Sequence, residues 1–333
     1  MENKYLTWTK NELQELIDEY KGVGSLTLQS IHKSQVLWEV RMSQSHGENK
    51  IINRADNGFF KETIASELDR IGATELLITD VGSKQKIDAR IQNWKEKFLD
   101  LTTVPGQEFF LIPDTNFVMR RYASGLQRKL GKDFDYLRFY IPNLVVLEIE
   151  AIHNRAKKKS ENRNCVAEER AKAFVEMRQA LIAMKELMFL RDKGANLLDS
   201  NIANVLENFQ NIAGKGLTDM YIRKEIRDAT KHKSTDTIKF LTCDLMNALS
   251  AVAEGLPTLY FSRVKSETNW LSNDYETCLE QIAELIVNTT TIFDQITLTS
   301  KPIFGELTSK TFKGTWADWT IEDLLNNRII EEK

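Results

Sequence analysis

Four acidic residues of this chain have the types and positions that metal-assisted hydrolysis requires. Asp114 and Asp244 each come at the end of a short predicted strand. Glu148 follows the apolar run 141–147, and Asp219 opens a predicted helix. Open α/β sheets place their sites at the carboxyl ends of strands, so we expect the four side chains to converge at one edge of a sheet.

Carboxylates that converge repel one another and raise each other's pKa, unless a hard cation lies among them. Mg²⁺ and Mn²⁺ prefer oxygen ligands and keep bound water, which can supply the nucleophile for phosphodiester hydrolysis. The pattern therefore predicts a site for Mg²⁺ or Mn²⁺. We expect Asp114 and Asp244 to be direct ligands, with Asp219 and Glu148 completing the site or holding its waters.

Each acid also has a structural interpretation. Asp114, Asp219 and Asp244 are good helix N-caps, because a short carboxylate accepts hydrogen bonds from free backbone N–H groups. Glu148 could simply interact with the dipole of a helix start. Independent capping residues have no reason to occur together in this order, so the joint pattern favours the metal site.

Two of the four acids have competitors nearby. Asp228 and Asp236 are alternatives to Asp219, but Asp228 falls in the middle of a predicted helix. Asp236 leaves no room for a helix before the next strand. Glu150 competes with Glu148, which stands closer to the end of the apolar run.

The elements that must position these acids form an α/β pattern after Pro105-Gly106, which marks a boundary. Short apolar runs alternate with helical stretches, which favours a parallel sheet with helices on its faces. The predicted strands are 109–112, 139–147, 238–242 and 258–261. We therefore predict an α/β domain at 107–265 with a central parallel sheet.

The regions on either side carry no chemical signature. Residues 1–105 are predicted to be mostly helical, with a possible short strand at 75–80. Residues 266–333 contain 12 acidic and 5 basic residues, a net charge of −7, and are predicted to form an acidic appendage. Its predicted elements are helices at 274–286 and 321–327, a threonine-rich strand between them, and packing by Trp316 and Trp319. Both regions offer surfaces for a partner protein or for self-association.

Composition limits the other possibilities. The chain is 42% hydrophobic and 28% charged, which is typical of a globular protein with a sizeable core. Its three cysteines are odd in number and lack a CxxC pair, which favours reduced thiols in the cytoplasm over disulfides or zinc. No signal peptide is evident, and no apolar run is long enough to span a bilayer, so no membrane contact is expected.

The formal net charge is −3, so a nucleic acid would have to meet a local basic patch. Lys157, Lys158 and Lys159 lie shortly after Glu148, within a stretch rich in Lys and Arg. Arg120 and Arg121 are a second candidate contact. We expect these five residues to track a phosphate backbone, although a solvated helical face would have the same composition.

Four strings around the acids resemble the PIN domain, a family of metal-dependent nucleases. They cover about half of the chain, follow the order of the family's motifs, and read Ile112-Pro-Asp-Thr-Asn116, Val145-Val-Leu-Glu-Ile-Glu150, Gly216-Leu-Thr-Asp219-Met-Tyr-Ile222 and Leu241-Thr-Cys-Asp244-Leu-Met-Asn247. The resemblance implies a three-layer α/β/α fold and an acidic cluster of Asp114, Glu148, Asp219 and Asp244. Asn116, Thr242 and Asn247 match the family's supporting polar positions.

The resemblance also implies an endonuclease, most often one that cuts RNA, and we favour single-stranded or flexible RNA as the substrate. A DNA-directed nuclease and a non-catalytic, nucleic-acid-binding scaffold remain the alternatives. The long helical insertion after Glu148 exceeds a minimal member of the family. The chain has no GxGxxG, Walker, Gly-x-Ser-x-Gly or HExxH motif, which argues against those chemistries.

Overall fold

A computed structural model describes most of the chain, in two compact units. The described residues are 5–21, 26–32, 35–42, 49–56, 58–88, 93–103, 109–162, 166–200, 218–264, 268–293, 295–302, 308–313 and 329–332. One unit, here called the terminal unit, combines Met1–Thr74 with Lys265–Lys333, and the other, the central unit, spans Glu75–Val264.

The strands, in chain order, are β1 (Tyr5–Trp8), β2 (Leu26–His32), β3 (Gln35–Met42), β4 (Lys50–Asn53), β5 (Leu76–Asp80), β6 (Gln85–Asp88), β7 (Phe110–Pro113), β8 (Tyr140–Ile141), β9 (Asn196–Leu197), β10 (Ile238–Thr242), β11 (Thr258–Arg263), β12 (Thr268–Trp270), β13 (Gln295–Pro302), β14 (Thr308–Lys313) and β15 (Ile329–Glu332). The α-helices are α1 (Lys10–Lys21), α2 (Gly58–Arg70), α3 (Trp94–Thr102), α4 (Thr115–Met119), α5 (Tyr122–Leu130), α6 (Asn143–Glu161), α7 (Ala167–Asp192), α8 (Thr218–Thr230), α9 (Leu245–Ala253) and α10 (Tyr275–Phe293).

The terminal unit is built on an eight-stranded antiparallel sheet of order β1-β15-β14-β13-β2-β3-β4-β12, with α1, α2 and α10 packed together. The prediction that residues 1–105 are mostly helical is therefore wrong, because six strands lie within them. The acidic C-terminal region is not an appendage either, since β13 pairs with β2 and β12 pairs with β4. Pairing between strands so distant in sequence leaves no local pattern to recognise.

Several predicted features of the ends need separate mention. The helix at 274–286 and the threonine-rich strand are present as α10 and β13. Trp316, Trp319 and the helix predicted at 321–327 lie outside the described residues, as does most of the amphipathic stretch 197–212. Within the described ranges, no helix combines the length and apolar composition that crossing a bilayer requires.

The central unit is a mixed α/β unit whose five-stranded sheet has the order β6-β5-β11-β10-β7. Strands β7, β10 and β11 are parallel, as predicted for the acid-bearing region. The sheet as a whole is not parallel, because β5 and β6 join it in antiparallel fashion. The strand predicted at 75–80 is one of these two, so the central unit begins about thirty residues before the predicted boundary at Pro105.

The strand predicted across 139–147 is mostly wrong. It ends after Ile141, and α6 begins at Asn143. Pro142 precedes the helix in an extended conformation, and the Glu225 carboxylate accepts hydrogen bonds from the backbone N–H groups of Asn143 and Leu144, at 2.9 and 3.0 Å. A carboxylate at a helix start satisfies free donors and favours the dipole, which outweighs the strand preference of the two valines that follow.

Candidate functional site

Asp114 lies between the end of β7 and the first turn of α4, and its side chain is fully buried. One carboxylate oxygen accepts a hydrogen bond from the Phe117 backbone N–H at 2.7 Å. The other accepts from the Thr242 hydroxyl and from the Asn247 side-chain amide, the latter at 3.0 Å. Three donors therefore hold this carboxylate in one orientation.

Asp244 stands at the end of the neighbouring strand β10 and caps α9. Its side chain accepts from the backbone N–H groups of Met246 and Asn247, at 2.8 and 3.1 Å, and its own N–H donates to the Thr242 hydroxyl at 3.0 Å. Both aspartates thus do cap helices. Thr242 and Asn247 contact both of them, which places the two caps in one hydrogen-bonded group.

Glu148 reaches the site from α6 rather than from a strand end. It accepts a hydrogen bond from the Thr115 hydroxyl, in the residue directly after Asp114. Burial raises the pKa of Glu148, and the charge of Asp219 raises it further, against the hydrogen bonds that lower it. The competitor Glu150, two residues along the helix, is exposed. Burial and the Thr115 hydrogen bond therefore favour Glu148 over Glu150 as an acid of the site.

Asp219 lies in the first turn of α8 and is the electrostatic centre of the group. Its negative charge raises the pKa of both Asp114 and Glu148. Burial raises its own pKa, Asp244 raises it further, and the Arg223 guanidinium lowers it. The competitor Asp228 is exposed on the same helix, and this favours Asp219 as the third acid.

The four acids therefore form one group, here called the acid row, in which Thr242 and Asn247 contact both Asp114 and Asp244 and the charge of Asp219 raises the pKa of Asp114 and Glu148. Burial raises the pKa of Asp114 to about 7, and repulsion from Asp219 contributes, although three hydrogen bonds oppose the shift. Raised pKa values mean that the charged forms lack sufficient compensation within the protein. A nearby cation would supply it.

Arg223 and Glu254 support the site, and sequence reasoning missed both. Arg223 is buried, and its guanidinium Nη2 lies 2.9 Å from Oε1 of Glu254. The guanidinium donates to the side-chain oxygen of Asn247, whose amide nitrogen donates to Asp114. Because guanidinium groups only donate, this contact fixes which end of the amide faces Asp114. The available signal was the spacing of Arg223, one helical turn after Asp219.

Glu225 is a second residue that sequence reasoning missed. Besides the start of α6, it accepts hydrogen bonds from the side chains of Asn143 and Ser200, at 3.1 and 2.8 Å. It lies on α8 with Asp219, while Glu148 lies on α6. Glu225 therefore fixes the two acid-bearing helices relative to each other.

The predicted nucleic-acid contacts divide into two groups. Lys157, Lys158 and Lys159 are exposed on α6, and Lys159 lies 3.6 Å from Glu169. Arg120 is half-buried at the end of α4. Arg121 must be withdrawn as a contact, because its side chain is only 5% exposed and pairs with buried Glu186 at 3.3 Å.

The remaining predicted polar residue, Asn116, lies half-buried in the first turn of α4. Arg155, which sequence reasoning noted only as part of a basic stretch, is exposed on α6 two turns after Glu148. Its charge lowers the pKa of Glu148. Arg155, which is not one of the five predicted nucleic-acid contacts, thus interacts electrostatically with an acid of the row.

The acid row fits a hard divalent cation, since its ligands would be carboxylate oxygens. Asp219, Asp244 and Glu148 are the partly accessible acids that would hold such an ion, whereas Asp114 is fully buried. No three of the acid, thiol and imidazole side chains in the described residues already form a ready-made metal site. Binding of a cation would therefore require the acids to draw together.

No family model, curated protein or solved structure matches this chain.

Proposed function

We propose that the central unit is a PIN-like, three-layer α/β/α nuclease that hydrolyses phosphodiester bonds, with single-stranded or flexible RNA as the favoured substrate. The observation that carries this proposal is the acid row, in which burial raises the pKa values of Asp114, Glu148 and Asp219 and repulsion between the acids raises them further. Ordinary structural acids are paired with cations or stay in water.

Mg²⁺ or Mn²⁺ held by Glu148, Asp219 and Asp244, next to the buried Asp114, would neutralise phosphate charge and lower the pKa of bound water. Other residues of the chain orient the carboxylates of the acid row. Thr242 and Asn247 orient Asp114, and Thr115 orients Glu148. The helix caps at Asp114 and Asp244 hold their carboxylates at fixed positions at the ends of β7 and β10.

The substrate class is supported by charge. Lys157, Lys158, Lys159 and Arg155 form a basic surface on the helix that also carries Glu148. Such a surface attracts a phosphate backbone without reading sequence. We also propose a cytoplasmic location, consistent with Cys243 and Cys278, which form no disulfide, and a partner-binding or self-association role for the terminal unit.

A non-catalytic, nucleic-acid-binding module is the second candidate. It is favoured by the full burial of Asp114 and by the lack of a ready-made metal site among the described residues. Such a module would keep the basic surface and bind nucleic acid without cutting it.

An end-labelled cleavage assay separates the two candidates. Single- and double-stranded RNA and DNA would be incubated with Mn²⁺, Mg²⁺ or EDTA. The inactivating variants are Asp219→Asn and Asp244→Asn, because asparagine still caps a helix and should preserve the fold. Glu150→Gln is the matched control, since it removes an exposed acid beside Glu148.

We expect metal-dependent cutting that is fastest on single-stranded RNA, reduced about 10³-fold or more in the aspartate variants, and unchanged in Glu150→Gln. Faster cutting of DNA than of RNA would make DNA the substrate and would leave the proposed metal-dependent hydrolysis unchanged. Binding of RNA without cutting, with any metal, would refute the nuclease and favour the module.

A further inference from the structure

Apolar side chains are exposed beside the acid row. The described residues include eight large, exposed apolar side chains, and four of them lie in the two helices that follow Asp219 and Asp244. These four, here called the apolar rim, are Met220 (43% exposed), Leu245 (50%), Met246 (70%) and Leu249 (48%). Half of these exposed apolar side chains thus lie within five residues of Asp219 or Asp244 in the sequence.

Helix geometry groups three of them on one surface. Leu249 follows Leu245 by four residues and Met246 by three, so its side chain is a neighbour of both on α9. Ala248 and Ala251 form the opposite, buried face of that helix. The helix contains no charged residue. A surface helix normally presents polar groups to water, so an apolar outer face indicates that something binds there.

The other end of the acid row is basic. Arg155 is exposed on α6 two turns after Glu148, and the three exposed lysines follow it on the same helix. The acid row therefore joins a cationic helix, which carries Glu148, to the helix of the apolar rim, which Asp244 caps. The two ends differ in chemistry, so a ligand that covers both needs an anionic part and an apolar part.

We propose that the apolar rim contacts the faces of unstacked bases, while the sugar-phosphate strand crosses the acid row towards α6. This inference rests on the proposed nuclease function and adds an orientation for the substrate. A single strand offers phosphates on one side and exposed base faces on the other, whereas a duplex hides its base faces. Leucine and methionine are known to wedge against bases.

The composition of the rim predicts how the substrate is selected. Leucine and methionine side chains do not donate the hydrogen bonds that distinguish one base from another. Methionine adapts its shape to different partners and contacts aromatic rings through sulfur. The rim should therefore select unpaired strands over duplexes and tolerate most sequences.

Binding to designed oligonucleotides tests the proposal without requiring cleavage. The full chain would be titrated in EDTA against a labelled single-stranded RNA, the same strand with three abasic nucleotides at its centre, and a duplex, using fluorescence anisotropy. The test variant is Leu245→Ser/Met246→Ser, in which both side chains already face water. Leu197→Ser is the control, since Leu197 is equally exposed but lies on β9.

We expect the rim variant to bind the intact single strand about tenfold more weakly than the unchanged chain. It should bind the abasic strand and the duplex as the unchanged chain does, because neither offers base faces to the rim. Leu197→Ser should match the unchanged chain on all three ligands.

Two results would overturn the proposal. Equal loss on the intact and abasic strands, or no loss on either, would show that the rim does not contact bases. Conversion of a self-associated chain to monomers by the rim variant, in sedimentation velocity, would identify the rim as a protein interface. A failure of the nuclease proposal can be told apart from a failure of this one. In that case, binding would still depend on the bases, but neither Mn²⁺ nor Mg²⁺ would produce cleavage.

Discussion

Each unit buries a carboxylate, Glu39 in the terminal unit and Asp114 in the central unit, and the surroundings of these two are opposite. In the terminal unit, burial alone would raise the pKa of Glu39, yet hydrogen bonds from Gln29 and Arg41 and the charges of Arg41 and Arg54 hold it below its usual 4.5. In the central unit, burial raises the pKa of Asp114 to about 7, and repulsion from Asp219 adds to the shift.

The difference separates structural charges from functional ones. A carboxylate with cationic partners is compensated, and its contribution is to the stability of the fold. Carboxylates that face one another keep an electrostatic cost in the folded state, which a bound cation can remove. The three predictions that follow test this contrast.

The largest expected effect is on stability as a function of pH, measured without divalent metal. Folded Asp114 keeps its proton up to about pH 7, while the unfolded chain loses it near pH 3.8. The folded state therefore loses stability as pH rises from about 4 to 7, by at most about 4 kcal/mol, with no further change above. Denaturant unfolding of the unchanged chain and of Asp114→Asn, compared at each pH, measures this contribution.

Glu39 should behave in the opposite sense. Its folded pKa is lowered, so its stabilising contribution is present above pH 4.5 and is lost as pH falls through the folded value. Denaturant unfolding of the unchanged chain and of Glu39→Gln, compared at each pH, gives the dependence of this contribution on pH. Two slopes of the same sign would show that the contrast between the units is wrong.

The second effect concerns Arg223, which we interpret as a positioning residue. Arg223→Met leaves the side-chain oxygen of Asn247 without its donor and removes the cation that lowers the pKa of Asp219. We expect kcat to fall about 10²-fold and the acidic limb of the pH–rate profile to move to higher pH.

Arg223→Lys is the informative comparison for that prediction. Lysine keeps the charge but cannot reproduce the planar fork that contacts both Glu254 and Asn247. The Arg223→Lys variant should therefore leave the acidic limb of the pH–rate profile unchanged, while kcat still falls. If both variants lose activity without any shift of the limb, the role of Arg223 is purely structural.

The smallest effect is expected at Glu39 near neutral pH. Glu39→Gln should lower the free energy of unfolding by about 1 kcal/mol, since its partners Arg41 and Arg54 are largely exposed and water screens the interaction. Calorimetric unfolding measures this, with exposed Glu15→Gln as the control. The cleavage rate should be unchanged, and a rate loss comparable to that of Arg223→Met would contradict the separation of roles.

Local strings were enough to identify most of the candidate site. Asp114, Thr242 and Asp244 follow short apolar strands whose parallel pairing could be anticipated, and the structure places them together. Glu148 was selected for the wrong reason, as a strand end, because the Glu225 contacts that start α6 early involve a residue some eighty positions away.

Long-range contacts account for the other errors. Arg121 has the composition of a phosphate contact, but its pairing with buried Glu186 depends on how α7 packs. The sheet of the terminal unit was missed because β2 pairs with β13, from the far end of the chain. Arg223 was missed because its partner Asn247 lies on another helix.

The most direct test of the central claim is isothermal titration calorimetry with Mn²⁺ at pH 7.5. We predict saturable binding to the unchanged chain and to Glu39→Gln, because the acid row is a group of mutually repelling carboxylates that a divalent cation can compensate. Asp219→Asn/Asp244→Asn should not bind. Absence of binding to the unchanged chain, or equal binding to the double variant, would contradict the claim that the acid row holds a divalent cation.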